Sequence, residues 1–306
     1  MTSDRYLIIN ADDFGMCHAH NAATVELFEC GGITSATVMA PCPAARDAVE
    51  FAVRNPQYAI GVHLTTTAEW QTYRWGPVSG KAESLIDGDG CFPRSSAQFA
   101  SRARADEVEA ELIAQIELLC AMGLDPSHID NHMGSLYGVA TGDFSLLKSV
   151  IKIAGRYGLP FRFPAKISHG MASNGTLDIK VPESTVRELL GSFADLAREC
   201  GVATPDYLVP GDWRGEQDRS YEESFREYIF EMYRGFDNGV TETYIHPAIE
   251  CDEIKAITPM WHRRVWEHRL FSDPKTKEFI RSIGIKTINY RELKRMRLDE
   301  WKREKI

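Results

Sequence analysis

Short apolar runs that end in polar turns alternate along this chain with longer stretches of helical spacing. That is the pattern of strands buried on both faces and covered by helices. The first run, Tyr6-Leu7-Ile8-Ile9, closes on Asn10-Ala11-Asp12-Asp13-Phe14-Gly15 and predicts a strand ending at the first polar residue. Residues 18–30 carry Ala22, Ala23, Leu27 and Phe28 at helical spacing and stop at Gly31-Gly32. Residues 34–40 are rich in β-branched side chains, Pro43 opens a helix to about residue 54, and residues 58–64 predict a third strand with His63 near its end. After a long interruption the rhythm resumes with a helix at 107–122, a polar strand end at 127–134, a helix at 144–157 and a strand at 161–163. A helix at 186–200, a strand at 206–209, a helix at 221–234 and a strand at 241–245 follow. Helices at 259–270 and 274–283, a strand at 286–289 and a charged terminal helix complete the chain. Strand–helix units repeated without a linker predict an α/β fold: a single TIM-like (β/α) barrel domain over residues 1–306.

Two stretches break the pattern and read as loop insertions. Residues 65–103 hold Trp70, Tyr73, Trp75, Gly76, Pro77, Gly80, Asp87-Gly88-Asp89-Gly90 and Pro93 with little periodicity. A loop this long inside a compact domain is more often functional or mobile than ordinary. Its aromatic residues suit either stacking on sugar rings or a local core. Residues 164–182 form a second irregular excursion, and residues 210–215 a further loop.

Composition narrows the classes. Of the 306 residues, 43% are hydrophobic and 26% charged, which is enough apolar material for a large core. With 44 acidic against 35 basic residues the net charge is −9. That balance argues against nucleic acid or an anionic membrane as partner, because both are bound chiefly through Lys and Arg. The basic stretch 291–305 is interrupted by acids and reads as a solvated helix face. No leader-like segment opens the chain and no run of apolar residues is long enough to span a bilayer. Seven cysteines, an odd number without a CxxC pair, predict free thiols in a cytoplasmic protein and no thiolate zinc site. Gly31-Gly32 and Gly88-Asp89-Gly90 match neither a dinucleotide nor a P-loop fingerprint, so no nucleotide cofactor is expected. A homodimer is the default assembly.

The chemistry collects after the strands. Asp12-Asp13, His63, His128/Asp130/His132 and His246 all follow predicted strands, and a parallel barrel gathers those ends at one face. A lone histidine is more often a packed residue than a ligand, yet four such places at one face make a site. One carboxylate with two imidazoles forms a facial set for a divalent ion with open positions, and Asp13, His63 and His132 are the candidates. The ion, magnesium or zinc, would lower the pKa of a bound water acting as nucleophile and polarise a carbonyl. Asp12 then suits the general base and His246 the acid for the leaving amine. His128 and Asp130 would orient ligands from behind. Spacing alone leaves open which of the two adjacent aspartates takes the metal. His18 and His20 could reach the cleft, although a helix start or the surface is their default; His169, His262 and His268 have weaker claims.

Asn10-Ala11-Asp12-Asp13-Phe14-Gly15, Gly61-Val62-His63-Leu64, His128-Ile129-Asp130-Asn131-His132 and His246-Pro247 closely resemble the ordered motifs of YdjC-like carbohydrate deacetylases. The resemblance extends to the tail at 284–293. It implies a distorted (β/α) barrel, hydrolysis of N-acetyl groups on amino sugars, and a metal held by Asp13, His63 and His132 with Asp12 as base. Three positions depart from the family pattern: Asn131 stands for Ser, Gly134 for a further His, and Ala248 follows His246-Pro247 where Gly is usual. These lie beside the metal candidates and bear on the substrate. Two other readings compete. One is a metal-dependent barrel enzyme of other chemistry, such as a phosphoesterase, isomerase or aldolase. The other is a carbohydrate-binding relative without turnover.

Overall fold

The computed structural model describes residues 4–80, 82–139, 141–168, 183–211 and 221–304. His169, most of the 164–182 excursion and the loop residues 212–215 lie outside the described residues. Among the described residues the strands are β1 (Arg5–Phe14), β2 (Ser35–Val38), β3 (Ala59–Leu64), β4 (Ile129–Asn131), β5 (Tyr207–Leu208), β6 (Gly239–Ile245) and β7 (Ile285–Thr287). They lie side by side in the order β4-β3-β2-β1-β6-β5, all parallel, while β7 pairs with the first residues of β1.

Parallel neighbours need long crossovers, and helices supply them. The first five are α1 (His18–Cys30), α2 (Ala45–Arg54), α3 (Ser96–Ala100), α4 (Ala105–Ala121) and α5 (Ser145–Tyr157). There follow α6 (Glu183–Glu199), α7 (Tyr221–Arg234), α8 (Asp252–Ile257), α9 (Trp261–Ser272), α10 (Pro274–Ser282) and α11 (Tyr290–Arg303). None is long and apolar enough to cross a membrane. Asn289 accepts from the Glu292 backbone and Glu292 reaches back to the Asn289 backbone, a capping box that starts α11 and ends the last strand at Thr287, before the expected Asn289.

The largest difference from expectation is β1, which runs on through Asn10, Asp12 and Asp13 to Phe14. Strand alternation puts Ile8, Asn10 and Asp12 on one face and Leu7, Ile9 and Ala11 on the other. The second set joins the main apolar core, whereas Asn10 and Asp12 are buried among polar partners on the first face. A polar residue ends a strand only where it must reach water. Here it need not.

The expected strand at 161–163 is a single bridge between Phe161 and Ile129. The Phe161 N–H donates to Ala203 and the Arg162 N–H to Ile129, but Pro160 and Pro164 on either side carry no N–H to extend the ladder. Gly61 of β3 is required by close approach: a Cβ there would lie 2.3 Å from the His128 carbonyl oxygen. The excursion at 65–103 is packed, not loose. Trp75, Leu85, Phe92 and Phe99 are buried as a local core. Arg74 ties Asp87 and the Phe92 carbonyl, and Glu111 accepts the Val78 and Ser79 N–H groups.

Candidate metal centre

Asp12, Asp13, His63, His132 and His246 come from the C-terminal edge of the sheet, whereas His128 stands just before β4. The pairing of β1 with β2 loses register between Ala11 and Phe14, and Asp13 within that bulge has φ 62°. A bulge of this kind re-aims a side chain. It turns Asp13 away from Asp12 and towards β3 and β4. His63 is the fifth residue of β3, and His132 opens the short turn after β4, next to Met133 at φ 53°. Asp13 and Met133 are the only positive-φ non-glycine residues among those described, and both sit at this site.

Asp13 Oδ1 lies 3.5 Å from His63 Nε2 and 3.3 Å from His132 Nδ1, and the two ring nitrogens are 3.3 Å apart. Neighbouring ligands about 3 Å apart are what bonds of about 2.0–2.2 Å to one divalent ion require. All three residues are buried, and Asp13 Oδ1 makes no hydrogen bond of its own. A buried carboxylate oxygen left in that state fits a cation.

The far side of each group is occupied. Arg264 on α9 donates to Asp13 Oδ2 at 3.1 Å, Asp130 Oδ1 lies 2.6 Å from His63 Nδ1, and Glu69 Oε2 lies 2.9 Å from His132 Nε2. Burial pushes the Asp13 carboxyl up, but His132, His246 and Arg264 outweigh it and hold it well below the usual range. Burial opposes charge on His132, yet Glu69 and Asp13 raise it to about 10. A cation entering here therefore displaces a proton.

Asp12 points the other way. Its two oxygens take both terminal nitrogens of Arg162, at 2.7 and 2.6 Å, and Asn10 donates to Oδ1 at 2.9 Å. Arg162 also reaches Asp130 Oδ2 at 2.9 Å and Glu242 Oε1 at 2.8 Å. Despite burial, which raises it, Arg162 brings the Asp12 carboxyl down to about 2. Burial lifts Glu242 to about 7, and the Tyr290 hydroxyl donates to its other oxygen. His128 does not touch a ligand. It stacks on Tyr290 with centroids 3.7 Å apart and pairs with Asn10 Oδ1 at 3.1 Å, so it acts on Asp12 through Asn10.

Asp12, Asp13, His63, His132 and His246 line one cavity of about 380 Å³ together with Glu69, Trp70, Asn131, Tyr137, Arg162 and Arg264. The His246 ring is half-buried; burial lowers its pKa and outweighs the pull of Asp13. Gly134, where the family pattern has His, has φ +61°, and a Cβ there would stand 3.3 Å from the Tyr137 ring. Of the remaining histidines, His18 is exposed, His268 pairs with Glu26, and His20 is fully buried with Nε2 3.0 Å from Arg264. His20 thus reaches the site from behind.

Sequence reasoning does not find Arg162, Arg264, Glu69 or Glu242. Only Arg162 leaves a trace: a charge between Phe161 and Phe163 alternates to the opposite face of an extended segment.

The chain is 30% identical to a carbohydrate deacetylase of Geobacillus stearothermophilus over 94% of its own length and 98% of that protein. It is 26% identical to a carbohydrate deacetylase of Thermoanaerobacter pseudethanolicus over 95% of this chain and all of that one. A crystal structure from Enterococcus faecalis, provisionally named a cellobiose-phosphate cleavage protein, superposes with a TM-score of 0.74 at 28% identity, covering 95% of this chain and 99% of that one. The model of the YdjC-like protein family matches residues 6–282, and the chain belongs to that family.

Proposed function

We propose that this protein is a metal-dependent carbohydrate deacetylase, a distorted (β/α) barrel of one domain that removes the N-acetyl group from an amino sugar or its oligomer. The observation that carries the reading is the triangle of Asp13 Oδ1, His63 Nε2 and His132 Nδ1, whose carboxylate oxygen has no other partner. The names of the full-length relatives support the reaction class. Those three residues would hold one divalent ion, zinc or magnesium among the candidates. Bound there, it would supply Lewis acidity towards an amide carbonyl and acidify a water.

The rest is work for side chains. Arg162 keeps Asp12 ionised at neutral pH and fixes its carboxylate at the cavity wall. Asp12, next in the chain to the triangle's Asp13, is the carboxylate that receives the proton of the attacking water. His246, just past the end of β6, hands a proton to the amine as the C–N bond breaks. Burial lowers its pKa, so the ring takes up the proton it donates within the catalytic cycle. Arg264 holds Asp13 Oδ2 so that Oδ1 alone faces the triangle. Trp70, with the Arg264 guanidinium 5.4 Å over its ring, offers a face for a sugar at the mouth.

The test is acetate release from N-acetylglucosamine and its oligomers, with metal content measured on the same sample and phosphate release from sugar phosphates run in parallel. Acetate release that needs the metal is the expected result. A metal-loaded preparation that liberates phosphate but no acetate would overturn the reading.

A further inference from the structure

The three groups that back the metal triangle differ in origin. Asp130 belongs to β4, is fully buried, and is itself fixed by Arg162 and Thr37. Arg264 sits on α9. Glu69 comes from the excursion after β3, its side chain is 16% exposed, and its carboxylate lies on the cavity wall.

His132 is the ligand with the least regular support. It stands on a short turn beside a residue in the left-handed region, whereas His63 is locked within a paired strand. An imidazole that binds an ion through one nitrogen carries its hydrogen on the other, and that hydrogen needs an acceptor. For His63 the acceptor is Asp130. For His132, whose Nδ1 faces the triangle, it is Glu69 at 2.9 Å. Trp75, from the same excursion, meets the His132 ring edge-to-face with centroids 6.1 Å apart.

We propose that Glu69 is the positioning residue for His132: it accepts the Nε2 hydrogen, fixes the tautomer that presents Nδ1, and makes the excursion at 65–103 part of the metal centre. This rests on the reading of the triangle as a metal site. A role for Glu69 in merely holding the loop is the competing account. The loop is already anchored by Arg74, Glu111 and the buried Trp75, so removing Glu69 leaves those ties in place.

The experiment measures zinc affinity by chelator competition for the wild type, Glu69→Ala, Glu69→Gln and His63→Ala, with thermal unfolding of each metal-free protein. Glu69→Ala should weaken zinc binding about 10- to 100-fold, the range seen when such an acceptor is removed. Glu69→Gln, whose amide oxygen can accept the same hydrogen, should recover most of the loss. In the zinc-loaded wild type, nitrogen NMR should show His132 protonated on Nε2, with that signal lost or mixed in Glu69→Ala. Unchanged affinity in Glu69→Ala overturns the proposal. So does an equal loss in both Glu69 variants that tracks a lowered unfolding temperature. If His63→Ala binds zinc as the wild type does, the triangle is not the metal site and both readings fall. If the Glu69 pattern holds but no N-acetylated sugar is cleaved, the positioning role stands and only the substrate reading fails.

Discussion

Among the described residues, two triangles of potential ligands stand side by side, sharing His63. One is Asp13, His63 and His132; the other is Asp12, His63 and Asp130, equally buried and equally compact. The difference is what already fills them. Arg162 places its guanidinium on Asp12 and Asp130, so the second triangle has its positive charge supplied by the chain. In the first, Asp13 Oδ1 accepts no hydrogen bond and faces only the two imidazole nitrogens, 3.5 and 3.3 Å away. Spacing of ligand atoms alone therefore does not separate the two triangles; what separates them is whether a guanidinium already bridges the carboxylates. Adjacent aspartates thus come to opposite surroundings, one facing two imidazoles and one facing an arginine.

The sharpest way to break this comparison is at His132. His132→Ala should remove bound metal and lower turnover by about a thousandfold or more, a loss in the range of several kcal/mol, read by metal analysis and acetate release. Full metal retention there would erase the distinction between the triangles. Asp12→Asn should keep the metal and cost about 10²- to 10⁴-fold in rate, the usual worth of a general base; a near-normal rate would take Asp12 out of the chemistry. Arg162→Met should leave three buried carboxylates without their cation and destabilise the fold by about 3–5 kcal/mol in denaturant unfolding. A variant as stable as wild type would show that Arg162 is dispensable to the second triangle. The smallest effect is on pH dependence. The Asp12 pKa falls from 3.8 to about 2 on folding, so its pairing stabilises the protein fully above about pH 4 and is lost as pH drops towards 2. Metal-free protein should lose about 2 kcal/mol over that interval from this group, and the Asp12→Asn variant should show a correspondingly flatter acid limb.

Much of the site was legible because the ligands follow strands, and strands announce themselves by short apolar runs. The Asp12–Asp13 pair, His63 and His132 were reachable in that way, and Asp130 by its place between two histidines; the choice of Asp13 came from the family motif. The charges that complete the site were not. Arg162 meets Asp12 across 150 positions and Arg264 meets Asp13 across 251, and no periodicity links such pairs. Glu69 lay in a stretch whose lack of pattern concealed a packed local core. The end of β1 was misread for a related reason. Polar residues inside a sheet look like a turn until their partners, here Thr37 and Arg162, are known.

The central position of β1 has a consequence for how the protein is made. This strand is made long before β6, yet its residues Arg5 to Ala11 pair there, from Arg5 opposite Gly239 to Ala11 opposite Ile245. A nascent chain thus carries β1 unpaired on one edge until β6 has been made. Contacts so distant in sequence make for slow, all-or-none assembly exposed to aggregation on the way.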